Sequence, residues 1–525
     1  MKIKSTFPIL LLVTSFLISG CGKTNQPSNE ISAPITSSEL SSEQAPVSSE
    51  DKGGASSEQI NTSKETPVSS NSTRSDNSST SSGDIPGGDT YLVKDINVPL
   101  AASLRESETP HTYNLSFKYD DRYFLGDAQT YNKDLAMLSL GLSIATGDSE
   151  QVADFFDAID MMGPDFAIND YEHEPDEAKA GYVLAHKAID DFDLIVIAFR
   201  GFNYGQEWAN NFTVGDVGNH SGFEAVINDV FTSVNEYIFS VTNGSNKPIK
   251  CWITGYSRGG ALAQLFAQRY FDENTGDYDV LVENRFVYTF EAPASHQLGG
   301  DQNRYFDITN RCDLIASIPP QRYDLYRIGK TIDIYNESVS TLLKQFDSEA
   351  VVPEFVSNDS LTGVGISNDE SCLEYVMNQV FNKEEVDEDK SIYANTREQY
   401  YQNYQDGLAG CIGYIFALTP ATRSALLTDL QNLGFGAISI LGDASGKSFM
   451  DFLKPYLDQD NVTYDETTLQ ANCAVLVKAI GNLFLGLLLM YLSNDTKPAL
   501  TRLIDMHYPE VTYVLLKEYN RTLEL

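Results

Sequence analysis

Positive charge is the clearest shortage in this chain of 525 residues, which has 36 lysines and arginines against 74 aspartates and glutamates. The net charge of −38 argues against nucleic-acid binding, which needs basic patches, and against electrostatic docking on anionic lipid. Such an acidic surplus is typical of a soluble, self-repelling surface. Hydrophobic residues make up 42% of the chain, which is enough to form a sizeable core.

Cysteine and histidine are also scarce, with six of each. No two cysteines have the CxxC spacing of a metal site, and the sequence predicts no metal or cofactor. Export permits a disulfide, but the sequence assigns no pair. Apart from Cys21, the cysteines are Cys251, Cys312, Cys372, Cys411 and Cys473.

The first 20 residues predict a lipoprotein signal peptide. Lys2 and Lys4 precede the apolar run FPILLLVTSFLISG, which is shorter than the roughly 20 residues that a membrane-spanning helix needs. The ending ISGC resembles a bacterial lipobox, in which cleavage leaves Cys21 as the first residue and the lipid attachment site. We therefore expect an extracytoplasmic, lipid-anchored protein of a bacterial cell envelope. The alternative is a plain cleavable signal with an incidental cysteine.

Residues 21–90 contain mainly Ser, Thr, Glu, Asn, Gly and Pro, with few large apolar side chains. Because such a segment cannot bury enough surface to fold, it predicts a disordered tether.

Strand patterns alternate with helical patterns from about residue 130 onward, which predicts an α/β fold with a mainly parallel central sheet. We assign residues 91–336 to this core, 337–497 to a helical insertion and 498–525 to a C-terminal return of the core. The insertion includes the apolar stretch CAVLVKAIGNLFLGLLLMYL, which predicts a buried core or cap helix, with membrane contact as the alternative.

The pentapeptide Gly255-Tyr256-Ser257-Arg258-Gly259 has the G-x-S-x-G pattern of a nucleophile elbow. The pattern is weak alone, but here the apolar strand IKCWIT precedes it and an amphipathic helix follows it. This context predicts that Ser257 is a nucleophile rather than a structural serine.

A serine hydroxyl is a poor nucleophile without a histidine as base and a carboxylate as acid. In proteins with a nucleophile elbow, these residues follow one another along the chain in the order serine, acid, histidine. His507 fits this order, and His296 and His220 are the alternatives. Asp313, in a loop just past an apolar strand, is the predicted acid, although a turn-forming aspartate is also possible. Asp307, the other carboxylate of this region, lies inside the strand itself.

Several stretches, in order, resemble the class 3 (fungal-type) lipase family of α/β-hydrolases. The resemblance covers about residues 130–335 and the return at His507. It implies that Ser257 is the nucleophile, Asp313 the acid and His507 the base. The matching stretches are IAFRGFNYGQEWANNF, NHSGF, ITGYSRGGALAQL, YTFEAPAS, ITNRCDLIASIPP and YRIGKTI.

The chain departs from the family at Phe202, where a Ser or Thr usually contributes to the oxyanion hole. The backbone N–H groups of Phe202 and Arg258 remain as oxyanion donors, and Asn203 could replace the missing hydroxyl. The interval from Asn203 to Asn219 has only 17 residues, which leaves little room for a long lid. We expect the helical insertion to cap the serine and to shape acyl-chain access.

The sequence therefore predicts a surface-anchored hydrolase of carboxylic esters, an acylglycerol lipase or carboxylesterase, that acts on an ester or lipid substrate through an acyl-enzyme. Two alternatives remain: a non-catalytic envelope binding protein on the same fold, and a feruloyl-type esterase. Oligomeric state is not indicated.

Overall fold

A computed structural model of the chain describes thirteen ranges of residues. The predicted signal peptide, Cys21, the tether and Cys372 lie outside them. The ranges are 91–105, 109–161, 166–172, 178–189, 191–204, 206–273, 276–297, 304–313, 315–319, 323–351, 396–433, 436–493 and 505–524.

The described strands form a two-stranded sheet and a seven-stranded sheet. The larger sheet keeps the chain order β3 to β9, with antiparallel pairs β3–β4–β5 and parallel pairs from β5 onward. Thus the mainly parallel α/β sheet predicted from the sequence is confirmed. The strands are β1 Val93–Ala101, β2 Thr112–Asp120, β3 Phe166–Asn169, β4 Tyr182–Ile189, β5 Phe192–Phe199, β6 Ile249–Tyr256, β7 Arg285–Phe290, β8 Phe306–Thr309 and β9 Lys330–Asp333.

The antiparallel β1–β2 hairpin precedes residue 130, where we expected the strand and helix patterns to begin. Its strands alternate buried and exposed side chains, and Ile96, Val98 and Leu100 point into the core. This period of two is typical of a sheet with one face in water, so the signal was present in the sequence.

Helices cover both faces of the large sheet, which explains why strands such as β5 are buried throughout and consist almost entirely of apolar residues. Leu194, Val196 and Ala198 belong to the hydrophobic cluster on one face, and Ile195 and Ile197 to the cluster on the other. The described helices around this core are α1 Lys133–Ala145, α2 Ser149–Ala158, α3 Ser221–Thr242, α4 Arg258–Ala267, α5 Val339–Phe346 and, at the C-terminus, a helix over Pro509–Thr522.

Between Asp313 and His507 the described residues are mainly helical beyond β9. They form most of a third hydrophobic cluster, to which Val214 and Ala294 also belong. We call residues 396–493 the cap. Within the part of the chain that the structure describes, no helix meets the length and hydropathy that a membrane crossing requires. The cap helices are α6 Arg397–Tyr400, α7 Asp406–Phe416, α8 Pro420–Asn432, α9 Gly436–Leu441, α10 Lys447–Gln459 and α11 Glu466–Ser493, and the C-terminal helix is α12.

Two buried cysteines meet inside the cap. The sulfur atoms of Cys411 on α7 and Cys473 on α11 lie 4.0 Å apart.

In an oxidising compartment we expect Cys411 and Cys473 to form a disulfide, which by chain entropy would stabilise the protein by about 4 kcal/mol. Intact mass and thermal unfolding, each with and without reductant, measure this bond. Cys251 is the matched control, since burial raises the pKa of its thiol to about 12. Quantitative alkylation of Cys411 in denatured, oxidised protein would contradict the expectation.

Candidate active site

Ser257 lies at a sharp turn between β6 and α4, with φ of 54° and ψ of −126°. Its backbone N–H donates to the carbonyl of Phe290 on the neighbouring strand at 2.8 Å, which holds the turn in this unfavourable conformation. A Cβ atom on Gly255 would lie 2.2 Å from the carbonyl oxygen of Gly259, and one on Gly259 would lie 2.4 Å from that of Phe199. The two glycines of the motif are therefore required by close backbone packing.

The structure brings Ser257, His507 and Asp313 together in one hydrogen-bonded row. Ser257 Oγ lies 2.8 Å from Nε2 of His507, and Nδ1 of His507 lies 2.6 Å from Oδ2 of Asp313. Asp313 is fully buried, and its second carboxylate oxygen accepts from the backbone N–H of Ile315 at 2.8 Å. With Nδ1–H donated to Asp313, Nε2 is the nitrogen that can accept the serine proton.

The short helical turn that carries His507 is held to the sheet by two hydrogen bonds. The hydroxyl of Tyr256, the residue before the serine, donates to the carbonyl of His507 at 2.6 Å. The side chain of Asn310, at the end of β8, donates to the carbonyl of Met506 at 3.3 Å. These contacts fix His507 relative to both the serine turn and the loop of Asp313.

The alternative site residues occupy other environments. Asp307 is buried in β8 and accepts from Arg327 at 2.7 Å and from Gln264 at 2.9 Å. The ring of His220 stacks on Phe223, and burial next to two arginines lowers the pKa of His220 to about 3. His296 is buried and bridges to Tyr326 through its backbone. In the described residues, no group of three or more His, Cys, Asp or Glu side chains could hold a metal ion.

The two predicted oxyanion residues flank the serine turn, and their side chains point into protein. The ring of Phe202 packs edge-on against that of Tyr256, with centroids 6.3 Å apart. Asn203 is exposed, with a positive φ of 57°. Arg258 is 1% exposed, so its guanidinium faces protein and not solvent.

The Arg258 guanidinium is part of a buried charge cluster that the sequence did not indicate. It donates to Asn211 at 2.8 Å and its Nε lies 3.8 Å from a carboxylate oxygen of Glu207. The other oxygen of Glu207 accepts from Arg200 at 2.8 Å and from the N–H of Gly181 at 2.8 Å. Burial lowers the pKa of Arg258, and the Glu207 carboxylate opposes this shift.

The cap packs on the segment 203–219, which we expected to be too short to form a long lid. Trp208 stacks on Phe416 of α7, with ring centroids 5.4 Å apart. Arg397 at the start of α6 donates to five backbone carbonyls of this segment. The segment is thus held from one side by the Arg258 cluster and from the other by the cap. The carbonyls belong to Val214, Gly215, Val217, Gly218 and Asn219.

One residue near the row was missed from the sequence. Glu291 lies directly after β7, is fully buried, and contacts the carboxylate of Asp313. It stands in the stretch YTFEAPAS, directly after the apolar strand end VYTF. A charged residue at the end of a buried strand was the signal that could have identified it.

Comparison with known proteins bears on the part of the chain that carries the serine. Residues 196–323 match the family model described as lipase (class 3). The matched segment includes Phe202, Ser257, Arg258 and Asp313 and ends before the cap and His507. No curated protein matches this chain.

Solved structures similar to this chain include lipases. One is a triacylglycerol lipase whose catalytic centre is a serine protease triad, 19% identical over 40% of this chain and 83% of that chain, with a TM-score of 0.29. Another is the triacylglyceride lipase of Rhizomucor miehei, 18% identical over 52% of this chain and 95% of that chain, with a TM-score of 0.28. The family match agrees with the resemblance predicted from the sequence: residues 196–323, which carry the serine turn, are similar to the class 3 lipase family.

Proposed function

We propose that the protein is a serine hydrolase of carboxylic esters, acting as an acylglycerol lipase or carboxylesterase. The observation that carries this proposal is the row from Ser257 through His507 to Asp313, with contacts of 2.8 and 2.6 Å. The strained serine turn and the class 3 lipase match around it support the same reading.

In the proposed reaction, His507 Nε2 accepts the proton of Ser257 as Oγ attacks the ester carbonyl. Asp313 keeps the imidazole in the required tautomer and stabilises the imidazolium that forms. His507 then protonates the leaving alcohol, and it activates a water molecule that hydrolyses the acyl-enzyme.

The developing oxyanion would be bound by the backbone N–H groups of Arg258 and Phe202. Arg258 is the first residue of α4, and the first N–H groups of a helix lack intrahelical partners and carry positive partial charge. The ring of Phe202 cannot replace the hydroxyl donor that the family usually has at this position. The loss of one such donor typically costs roughly 2.7–4 kcal/mol in the transition state.

The cap would shape the access of the acyl chain to Ser257. This role is supported by its packing on segment 203–219, which is held to the elbow by the contact between Arg258 and Asn211. We further propose that lipid on Cys21 tethers the enzyme outside the membrane of a bacterial cell, with residues 21–90 as the spacer.

Labelling with a fluorophosphonate tests the proposal, because this reagent reacts with an activated serine. We expect the wild-type protein to be labelled and Ser257→Ala to remain unlabelled. A series of nitrophenyl esters of increasing chain length then defines the acyl preference. A folded wild-type protein that is not labelled would contradict the proposal and would support the non-catalytic binding protein instead.

A further inference from the structure

Glu291 occupies a position that is costly for a glutamate. Its backbone has a positive φ of 48°, which disfavours residues other than glycine. Its carboxyl group is also fully buried, and burying an ionisable group is unfavourable unless it is neutral or well paired. Two unfavourable features at one residue beside the catalytic row indicate a role for the side chain.

The contacts of Glu291 reach His507 from two directions. Its side chain hydrogen-bonds the carboxylate of Asp313, which holds the imidazole ring. Its Oε1 accepts from the hydroxyl of Thr512 at 3.2 Å, and that hydroxyl lies 2.9 Å from the hydroxyl of Tyr256. Tyr256 in turn binds the carbonyl of His507. Glu291 is thus connected to both the ring and the backbone of the base.

The other oxygen of Glu291 is bound to the loop that carries Asp313. Oε2 accepts from the backbone N–H of Asn310 at 3.0 Å and from the hydroxyl of Thr309 at 3.2 Å. The side chain therefore joins three parts of the site: the end of β8, the acid itself and helix α12.

The charge state of Glu291 follows from its surroundings. Burial, and after it the nearby carboxylate of Asp313, raise the pKa of Glu291 well above its usual value. A protonated carboxyl can donate to Asp313, whereas two ionised carboxylates in contact would repel each other. The titratable groups around it are Asp313 and Cys312 after β8, Tyr256 at the end of β6 and, beyond Tyr256, Glu510 and His507.

We propose that Glu291 is a positioning residue for the reaction, and that in its neutral form it donates a hydrogen bond to Asp313 and so holds that carboxylate on His507. This inference rests on the proposed function. Glu291 contacts Asp313, at the end of the row away from Ser257. It therefore acts through the acid and does not touch the substrate.

Two substitutions separate this role from simple packing. Glu291→Gly introduces the residue that suits the positive φ but removes the donor to Asp313. We expect it to lower kcat by roughly 10- to 100-fold with KM almost unchanged, because the row is displaced rather than the substrate site. Glu291→Gln keeps a neutral side chain that can donate an N–H to Asp313 and accept through its carbonyl oxygen, and it should restore most of the lost kcat.

The pH dependence distinguishes the two neutral donors. In the wild-type protein, kcat/KM should fall at alkaline pH as Glu291 ionises beside Asp313, and in Glu291→Gln this fall should be absent. A raised pKa also means that Glu291 contributes stability that is complete below its unfolded pKa and is lost as the pH rises through its folded pKa. Glu291→Gln should remove this loss as well.

Infrared spectroscopy reports the proton directly and does not depend on activity. At a pH well above 7, where Glu510 with its pKa of about 7 is ionised, the wild-type protein should still show the C=O band of a buried protonated carboxyl, and this band should be missing in Glu291→Gln. Glu510→Gln is the matched control: Glu510 is also a buried glutamate, whose burial raises its pKa to about 7, but it binds the backbone of Ser103 and Leu104. It should not alter the alkaline limb of kcat/KM.

The outcomes are separable. Suppose that the fluorophosphonate labels the wild-type protein, but Glu291→Gln keeps both the alkaline fall of kcat/KM and the carboxyl band. This result would overturn the role of Glu291 and leave the proposed function intact. Equal kcat for Glu291→Gly and the wild-type protein would also overturn it. A folded wild-type protein that is not labelled by the fluorophosphonate would overturn the proposed function and the inference together.

Discussion

Replacing Asp313 by asparagine should lower kcat for ester hydrolysis by about 10⁴, because an amide favours the wrong imidazole tautomer without changing the shape of the site. Asp313 is the fully buried acceptor of Nδ1 of His507, at 2.6 Å. An asparagine at this position would present either an N–H group or a neutral oxygen to the ring. Steady-state kinetics on a soluble nitrophenyl ester measure the loss, and circular dichroism checks that the variant is folded.

Asp307→Asn is the matched control, since Asp307 is the other buried carboxylate of the same stretch. It binds Arg327 and Gln264 rather than His507. Its substitution should reduce the free energy of unfolding by about 1–3 kcal/mol and leave kcat nearly unchanged. The reverse pattern, with kcat lost in Asp307→Asn and kept in Asp313→Asn, would assign the acid to Asp307.

Glu207→Ala should produce the second large effect, a loss of about 3–5 kcal/mol in the free energy of unfolding. Its carboxylate is fully buried between Arg200 and Arg258, at 2.8 and 3.8 Å from their nearest nitrogens. Removing it leaves two buried guanidinium groups without their anion. Unfolding in urea, followed by fluorescence or circular dichroism, measures the change.

The control for Glu207 is Glu224→Ala, which breaks a more exposed pair with Arg269 at 2.9 Å. Solvent screens this pair, so we expect a loss of only about 0–1 kcal/mol. Similar losses for the two variants would show that the buried cluster contributes no more than a surface ion pair. Such a result would also argue against the cluster as the element that holds segment 203–219 on the serine turn.

Much of the fold was predictable because its signals are local. The alternation of strand and helix patterns predicted the mainly parallel sheet, and the apolar run IKCWIT predicted β6. The serine turn is equally local, since a tight strand-to-helix turn requires small residues at Gly255 and Gly259. Sequence order along the chain, together with the family resemblance, was enough to select Asp313 and His507 for the row.

The missed features depend on contacts between distant parts of the chain. Arg258 is buried because its partners Glu207 and Asn211 are brought over it by segment 203–219. Likewise Cys411 and Cys473 meet only when α7 packs on α11. Neither pairing has a sequence spacing that could indicate it.

By itself, the sequence determined the α/β sheet and the serine turn, because periodicity and backbone sterics are properties of neighbouring residues. The row of Ser257, His507 and Asp313 was predicted from chain order together with the family resemblance. Only the tertiary structure decided the electrostatic surroundings of that row. The charge state of Glu291 depends on how deeply it is buried and on the carboxylate of Asp313 beside it. Packing sets both of these conditions, since desolvation and short-range electrostatics depend on distances in space and not on positions along the chain.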